Sequence, residues 1–383
     1  MGKRKAVFII HLLQDVQVLR PLIFMAARDY GFDTNLLVSD RFGARDTSGI
    51  WVHELQAISQ ETGATLIRFG DDLDAYRHLS EGGGLLFSAS ESNTPEHETA
   101  HNIFRYAGAD YLRVTVQHGF ECVGLRHGVS HTQKFGSTAS FAADILCTWF
   151  DLEQLTSLAP SQAPKVVVTG PTSVLQVGKR LAIESNKAGM VFENLHSVRF
   201  DGSSKLRQEF LTAFRKAAGG LHKKGIATRL RPHPGGRFST RGDHGVPPFV
   251  ELEEAPLYRL GLGDFAFGIS PPSSVIIDML LADLPTAVWQ DPDGQVDLGH
   301  YAGLAKVSSA EDMIGFAEAA LLNREAILAA QRIWIEQQGM PLEPLDVYRR
   351  FAALFDAFEG GEGRVADQAV FRTECQRSDG RTD

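Results

Sequence analysis

Short apolar runs alternate with segments of helical periodicity along almost the whole sequence. Runs such as residues 6–10 and 145–149 are largely apolar, which is typical of strands buried on both faces of a parallel sheet. Strands that alternate with helices indicate βαβ units, in which helices cover both faces of the sheet. This pattern therefore predicts an α/β fold of the doubly wound, Rossmann-like kind.

The individual elements follow from the same pattern. We predict strands at residues 6–10, 34–38, 64–69, 84–88, 113–117, 145–149, 166–169, 189–192, 227–231, 249–252, 265–269 and 286–288. We predict helices at residues 16–30, 95–107, 172–181, 203–216 and 274–281, and a helical region over residues 310–358.

The chain is too long for one ordinary core, because its 383 residues exceed the roughly 250–300 at which single cores stop growing. A polar, proline-containing segment at residues 159–164 separates two similar halves. We predict an N-terminal domain over residues 1–162 that binds an acceptor, and a C-terminal domain over residues 163–335 that binds a nucleotide-sugar. A C-terminal helix at 336–360 and a flexible tail at 361–383 follow. Ligands of open parallel sheets bind beyond the carboxyl ends of the strands, so two facing domains predict one cleft between them.

Composition excludes several classes of protein. The net charge of −9 argues against a nucleic-acid binder, which needs clustered positive charge. The three cysteines, Cys122, Cys147 and Cys375, are widely spaced and indicate neither a disulfide framework nor a cysteine zinc site. The longest apolar runs are far shorter than the roughly 18 residues of a membrane span, and the basic start of the chain does not lead into an export signal. We expect a cytoplasmic protein.

The segment Arg231-Pro232-His233-Pro234 follows the predicted strand at 227–231. Proline restricts both itself and the residue before it to extended conformations, so the two prolines hold His233 in a fixed loop at the strand end. A histidine there can donate a hydrogen bond to a phosphate oxygen, although it could also be an ordinary exposed loop residue.

Three serines follow the predicted strand at 265–269. Ser270, Ser273 and Ser274 precede a helix, where small hydroxyl side chains and free backbone amides form an anion pocket, and helix capping is the alternative. Asp278 on that helix is a candidate contact for a ribose.

A strand that ends in His-Pro, followed later by a strand, a Ser-Ser-Val turn and a helix, resembles the nucleotide-binding half of GT-B glycosyltransferases. The likeness is to the bacterial sialyltransferases and Kdo transferases, which use CMP-activated acidic sugars, and to the CDP-glycerol glycerophosphotransferases. It implies that His233 contacts the nucleotide phosphate and assists its departure, as a catalytic residue, and that Ser273 and Ser274 bind the same phosphate. We predict that Arg231 and Ser270 also bind the donor.

Two further segments bear on the resemblance. VVVTGP at residues 166–171 resembles the strand and turn that open the second domain in these enzymes and in UDP-GlcNAc 2-epimerases, which places Gly170 among the donor-binding residues. The paired-acid-and-glycine motif of many bacterial sialyltransferases is not evident, because Asp71 and Asp72 are followed by Leu73.

The N-terminal half supplies candidates for catalysis. Gln117-His118-Gly119-Phe120-Glu121 follows the predicted strand at 113–117, and the glycine permits a tight turn that exposes His118 and Glu121. The glycerophosphotransferases carry a similar His-Gly pair, whose histidine is thought to act as a base. A histidine of near-neutral pKa suits proton abstraction, whereas a buried, loop-orienting His118 is the structural alternative.

Other polar side chains also follow strands. Glu91, Asp15 and His11 are candidate bases or nucleophiles on the acceptor side, although polar loop residues are common. Glu193 and Asn194 follow the predicted strand at 189–192 and resemble a Glu-Asn pair of the 2-epimerases. We predict that they bind the donor, with Arg199 adding positive charge, and capping of the next helix is the alternative.

Residues 97–101 read His-Glu-Thr-Ala-His, which matches the H-E-x-x-H pattern of zinc hydrolases. The motif begins just after Pro95, in the first turn of a crossover helix, and no third ligand follows at a convincing spacing. We therefore predict no metal site, and we interpret these residues as polar groups at a helix end.

These observations predict a metal-independent glycosyltransferase with no cofactor besides its CMP-linked donor, which carries a Kdo-like ulosonic acid. The acceptor would be a saccharide or a lipid-linked glycan of a bacterial surface polysaccharide, such as a lipopolysaccharide or capsule, reached at the inner face of the membrane through a partner protein. The alternatives are a CDP-glycerol glycerophosphotransferase, a UDP-GlcNAc 2-epimerase and a non-catalytic GT-B module that scaffolds polysaccharide assembly.

Overall fold

The computed structural model describes residues 4–80, 82–177, 188–240 and 245–360. In this part of the chain there are two parallel sheets, of seven and six strands, with helices on both sides of each. The predicted α/β architecture of two doubly wound domains is confirmed.

The first sheet has the strand order β3-β2-β1-β4-β5-β6-β7. Its strands are β1 (Lys5–Ile10), β2 (Asp33–Ser39), β3 (Thr65–Phe69), β4 (Gly84–Ser88), β5 (Tyr111–Val116), β6 (Ile145–Thr148) and β7 (Val166–Val168). The helices of this half are α1 (Leu13–Phe24), α2 (Asp40–Arg45), α3 (Ile50–Thr62), α4 (Asp72–Leu79), α5 (Glu98–Tyr106) and α6 (Val129–Phe135).

The second sheet has the strand order β10-β9-β8-β11-β12-β13. Its strands are β8 (Ala188–Glu193), β9 (Ala227–Pro232), β10 (Val250–Leu252), β11 (Phe267–Ser270), β12 (Thr286–Trp289) and β13 (Ala305–Val307). The helices are α7 (Ser204–Lys223), α8 (Val275–Leu281), α9 (Ala310–Leu322), α10 (Arg324–Gln337) and α11 (Pro344–Gly360).

Every predicted strand is present, with ends within two residues of the prediction, whereas β13 escaped notice because its Ala-Lys-Val core is so short. The predicted helix at 172–181 is a 3-10 turn over Thr172–Leu175, and its second half lies outside the described residues. The predicted tail at 361–383, with Cys375, also lies outside them.

The segment predicted to open the second domain belongs to the first. β7 pairs with β6 through Leu146–Val166 to Thr148–Val168, so the first sheet continues past the predicted boundary at residue 162. A three-residue strand gives no sequence signal for the sheet that it joins, because either half could supply its partner.

The last helix, α11, returns to the N-terminal half and packs against its core. The Phe355 ring stacks on the Tyr30 ring with centroids 4.9 Å apart, and the Arg350 guanidinium donates to the Val168 carbonyl oxygen at 2.9 Å. The region predicted as one helix from residue 336 therefore consists of the end of α10, a turn and α11, and it ties the two halves together.

Aromatic side chains also form a contact between the two halves. Phe120, from the loop after β5, contacts Tyr301 and Trp334 of the C-terminal half, with ring centroids 5.4 Å and 5.6 Å away. All three rings are almost fully buried. This contact fixes the loop that carries His118 against the second domain.

Candidate active site

A cleft of about 720 Å³ lies between the two domains, at the carboxyl ends of both sets of strands. Its N-terminal wall comes from the loops after β1, α2, β4 and β5. Its C-terminal wall comes from the loops after β8, β9 and β11. Of the predicted site residues, those that line the cleft are His118, Glu121, Glu193, Asn194, Arg199, Arg231, His233, Ser273, Ser274 and Asp278.

The end of β8 organises the C-terminal wall, because β8 lies between β9 and β11. Its last residue, Glu193, accepts hydrogen bonds from the backbone N–H groups of Phe238 and Ser239 at 2.6 Å and 2.8 Å, and from the Ser239 hydroxyl. Asn194 donates its side-chain amide to the Pro272 carbonyl oxygen at 2.8 Å. Glu193 therefore fixes the loop after β9, and Asn194 fixes the loop after β11.

His233 presents one free nitrogen to the cleft. The backbone N–H of Gly235 donates to its Nδ1 at 3.0 Å, so Nδ1 is an acceptor and the proton of the neutral ring lies on Nε2. Burial, followed by the charges of His196 and Arg231, holds the pKa of His233 well below its usual range. The ring also stacks on His196, with centroids 3.6 Å apart. His233 is therefore a rigid, neutral donor.

Arg231 lies beside this ring and is buried. Its Nε and Nη2 groups donate to the Ala255 carbonyl oxygen at 3.2 Å and 3.1 Å, which orients the guanidinium. Burial lowers the pKa of Arg231 to about 10, so it stays cationic near neutrality. Asp278, on the first turn of α8, also lines the cleft, and burial raises the pKa of its carboxyl to about 7.

The three predicted serines have different environments. The Ser270 hydroxyl is fully buried and donates to the Pro271 carbonyl oxygen at 2.7 Å, so Ser270 lies outside the cleft lining. Ser274 lines the cleft, but its Oγ accepts the Phe120 N–H across the domain boundary at 2.9 Å. A Cβ on Gly119 would lie 2.8 Å from that Oγ, so the loop after β5 needs glycine there. Ser273 also lines the cleft, and its Oγ accepts only a long hydrogen bond, at 3.4 Å, from the Val275 N–H among the described residues.

His118 faces the cleft from the N-terminal wall. Its Nδ1 lies 2.8 Å from the Ala89 carbonyl oxygen, which can only accept, so Nδ1 carries a proton, and its Nε2 lies 3.9 Å from the Cys122 sulfur. Burial acts to lower the pKa of His118, but the neighbouring Cys122 thiol, the Ala89 carbonyl and the Asp15 carboxylate raise it to about 9. An imidazolium at neutral pH disfavours the base role predicted for His118 and favours binding of a negative group.

Glu121 belongs to a contact between the domains. Its carboxylate pairs with the Arg199 guanidinium and with His300 Nδ1, which is 2.8 Å away, both from the C-terminal half. Burial acts to raise the pKa of Glu121, but hydrogen bonds and charges from these partners lower it overall. We call Glu121, Arg199 and His300 the domain latch. Its geometry assigns Glu121 to domain contact in place of the catalysis predicted for it.

Two other predicted catalytic carboxylates are internal. Asp15 accepts from the backbone N–H groups of His11 and Leu12 at 2.8 Å and 2.7 Å, and from the Ser90 hydroxyl at 2.7 Å. It caps α1, is fully buried and does not line the cleft.

Glu91 is likewise 1% exposed and lies outside the cleft lining. It contacts the Thr115 hydroxyl at 2.8 Å, the Ala142 N–H at 2.9 Å and His101 Nδ1 at 2.5 Å. Both carboxylates were predicted as bases or nucleophiles, but in the structure they accept hydrogen bonds from backbone and hydroxyl donors in the core.

The histidines of the H-E-x-x-H pattern have separate roles. α5 begins at Glu98, so His97 precedes the helix, and its Nδ1 lies 2.9 Å from the Ser92 hydroxyl, whereas His101 pairs with Glu91. Within the described ranges, no three or more His, Cys, Asp or Glu side chains form a metal-binding group.

Gly170, predicted to bind the donor, lies elsewhere. It has φ of +81°, and a Cβ there would lie 2.5 Å from the Pro341 carbonyl oxygen. It permits the close crossing of the segment that leads into α11 and does not line the cleft.

Sequence reasoning missed several cleft residues, including Arg45, Trp51, His131, His196 and Tyr301. Arg45 ends α2, a short helix that was not predicted. His196 was within the Glu-Asn-Leu-His segment after β8, but only the stacking on His233 reveals its position. Trp51, His131 and Tyr301 do not directly follow a predicted strand, so their sequence positions did not indicate that they line the cleft.

Comparison with known proteins identifies the fold of this chain. No family model matches the chain, and no curated protein matches it in sequence. A candidate UDP-N-acetylglucosamine 2-epimerase of Listeria monocytogenes superposes with a TM-score of 0.58 at 14% identity, over 95% of this chain and 98% of that one.

Two further structures have the same architecture. The Methanocaldococcus jannaschii UDP-GlcNAc 2-epimerase, in complex with UDP-GlcNAc and UDP, gives a TM-score of 0.52 at 11% identity, over 87% of this chain and 99% of that one. The calicheamicin glycosyltransferase CalG4 gives 0.51 at 13% identity, over 92% and 98%. The protein has the GT-B fold. At sequence identities of 11–14%, these structural similarities show a shared two-domain architecture.

No helix among the described residues is both long and apolar enough to cross a membrane.

Proposed function

We propose that this protein is a glycosyltransferase that transfers a sugar from a nucleotide-linked donor to an acceptor, in the cleft between its two domains. The observation that carries this proposal is the fixed His233 ring, whose Nε2–H group points from the end of β9 beside the buried Arg231 guanidinium. A rigid neutral donor next to a cation suits a phosphate oxygen.

The same groups can assist departure of the nucleotide. Transfer forms a bond between the acceptor oxygen and the anomeric carbon, whose bond to the donor phosphate oxygen breaks. The acceptor's hydroxyl proton is released to solvent, and negative charge accumulates on the departing phosphate. Arg231, His233 and the Ser273 hydroxyl would stabilise that charge, and because their loops are held by Glu193 and Asn194 they need no reorganisation during the reaction. In this proposal no metal ion is required.

We further propose a CMP-linked ulosonic acid as the donor. This choice depends on the likeness of the His-Pro and Ser-Ser-Val segments to the CMP-sugar transferases. The acceptor would be a saccharide or lipid-linked glycan at the inner face of a membrane, reached through a partner protein.

The test is isothermal titration calorimetry of wild type and His233→Ala with CMP, CDP and UDP. We expect CMP to bind wild type most tightly, and we expect at least a tenfold loss in His233→Ala, the order expected for one charge-assisted hydrogen bond. His78→Ala, an exposed histidine on α4, is the matched control and should bind like wild type. If no nucleotide binds wild type, the proposal fails and a non-catalytic scaffold is favoured.

A second candidate is a UDP-GlcNAc 2-epimerase, favoured by the architecture shared with enzymes of that activity. Its Glu-Asn pair, however, corresponds here to two residues that hold neighbouring loops. Incubation with UDP-GlcNAc and no acceptor separates the candidates, because an epimerase converts the sugar and a transferase leaves it intact. Proton NMR of the anomeric signals measures the outcome.

A further inference from the structure

The N-terminal wall of the cleft is lined by basic side chains and by two acidic ones, Glu96 and Glu121. Arg45, His97 and His118 all line it. Within the described ranges, the Arg45 side chain has no ion-pair or hydrogen-bond partner, although it ends α2 at the edge of the cleft. Arg45 is exposed at this edge, where its guanidinium is available to a ligand.

The two imidazoles are oriented by the protein through the same ring nitrogen. The Nδ1 of His97 is engaged by the Ser92 hydroxyl, and the Nδ1 of His118 is engaged by the Ala89 carbonyl. The rings meet edge to face, with centroids 5.5 Å apart. The Nε2 atoms of two fixed rings therefore lie on the same wall, with the Cys122 sulfur 3.9 Å from that of His118.

The pKa of His97 is affected by the positive charges around it. Burial, followed by the charges of His118, His11 and Arg45, lowers the pKa of His97 to about 3. The acidic groups around the wall are Asp15, Glu96 and Glu121. Asp15 is saturated by two backbone N–H groups and a hydroxyl, Glu121 is held in the domain latch, and Glu96 is exposed at the rim.

We propose that this wall binds an anionic group of a saccharide, a carboxylate or a phosphate, between Arg45 and the Nε2 atoms of His97 and His118. Resting on the glycosyltransferase function proposed above, the inference names its substrate class: the saccharide seated against the N-terminal domain is a sugar acid or a sugar phosphate. Arginine matches either group, because its planar fork of N–H donors fits two oxygens at once.

The experiment follows the imidazole Cε1–H NMR signals of His97 and His118, assigned with His97→Gln and His118→Gln, during titration with glucuronate, glucose 6-phosphate and glucose. We expect saturable shifts with one or both acids and none with glucose, and the stronger of the two identifies the anion as carboxylate or phosphate. Arg45→Ala should raise the apparent Kd roughly tenfold, as loss of one charge-assisted hydrogen bond does.

The matched control is Arg41→Ala, which removes an exposed arginine from the same helix but outside the cleft lining. Its Kd should equal that of wild type. Equal shifts with glucose, no shift with any probe, or equal losses in Arg45→Ala and Arg41→Ala would each overturn the inference.

The two proposals fail separately. His233→Ala should leave the sugar-acid titration unchanged while weakening CMP binding, because His233 lies on the opposite wall. Sugar acids that bind wild type without any nucleotide binding would remove the glycosyltransferase proposal and leave the anion site. Nucleotide binding without sugar-acid binding would do the reverse.

Discussion

Both domains place an acidic side chain near the end of a central strand, yet the two walls of the cleft are built differently. In the C-terminal domain, Glu193 holds the loop that presents His233 to the cleft. In the N-terminal domain, Glu91 and Asp15 are turned into the core, and Arg45 with His118 faces the ligand space. The difference shows that a buried carboxylate at a strand end accepts hydrogen bonds from loop amides and hydroxyls of the protein itself. Side chains with spare donors are left for the ligand.

The largest effect expected from this comparison is on stability in the N-terminal domain. Glu91→Ala leaves the Thr115 hydroxyl, the Ala142 N–H and His101 without a partner in the core. We expect the free energy of unfolding to fall by about 3–5 kcal/mol, the usual loss when one member of a buried pair is removed. Urea denaturation followed by circular dichroism measures it.

The control for this variant is Glu98→Ala, an exposed glutamate at the start of α5. It should change stability by less than about 0.5 kcal/mol, as surface substitutions do. A Glu91→Ala protein that is as stable as wild type but catalytically dead would restore the catalytic role that sequence position suggested for Glu91.

The next effect concerns the contacts between the domains. The Glu121–Arg199 pair of the domain latch is buried, whereas the Glu54–Arg259 pair, which also joins the two halves, is partly exposed at 2.9 Å. Double-mutant cycles to alanine should give a coupling energy of about 2 kcal/mol or more for the buried pair and about 0.2–1 kcal/mol for the exposed one. Equal couplings would contradict the assignment of the latch.

The latch also predicts a pH dependence. The partners of Glu121 lower its pKa below the unfolded value, so its stabilising contribution is complete above that value and is lost as the pH falls through the folded pKa. The Glu121–Arg199 coupling energy should therefore decline as the pH falls from neutral into the acid range. Repeating the cycle at pH 7 and at progressively lower pH checks the sign. A coupling that grows as the pH falls would exclude a charged Glu121.

Much of the fold was predictable from the sequence, because strands such as β1 and β4 are largely apolar runs, which are typical of strands that a parallel sheet buries on both faces. The short edge strand β7 was placed in the wrong half, since three apolar residues carry no information about their pairing partner. α11 could be predicted as a helix, but its return to the first domain depends on packing between distant residues such as Tyr30 and Phe355.

The site was predictable only in part. His233 was found because prolines fix its loop, and the structure adds which of its nitrogens is free. The burial of Glu91 and Asp15 could not be predicted, because their donors come from residues far away in sequence, such as Ala142 and Ser90. Arg45 was missed because nothing local distinguishes an arginine that faces a cleft from one that faces solvent.

A smaller effect is expected from Asp278. Burial raises the pKa of its carboxyl to about 7, so the group is neutral below that pH and gains a negative charge above it. If the donor phosphate binds beside Arg231, that charge repels it. The ratio of CMP affinity of Asp278→Asn to wild type should be near one at pH 6 and should rise roughly threefold by pH 8. Calorimetry at pH 6 and pH 8 measures this affinity ratio. The titration of CMP itself affects both proteins equally and cancels in the ratio. A ratio that stays constant with pH would place the phosphate away from Asp278.

The smallest expected effect is on the pKa values of two neighbouring imidazole rings, His97 and His118. Burial lowers the pKa of His97 to about 3, whereas the Cys122 thiol, the Ala89 carbonyl and the Asp15 carboxylate outweigh burial at His118 and raise its pKa to about 9. His118 should therefore titrate near pH 9 in wild type, with His97 unprotonated from pH 5 to 9. In Cys122→Ala the His118 midpoint should fall towards 6.5. The imidazole Cε1–H chemical shifts report both rings in one titration. A wild-type His118 that titrates below pH 7 would give this wall a neutral ring able to accept the acceptor's proton, and positive charge on the N-terminal wall would then come from Arg45 alone.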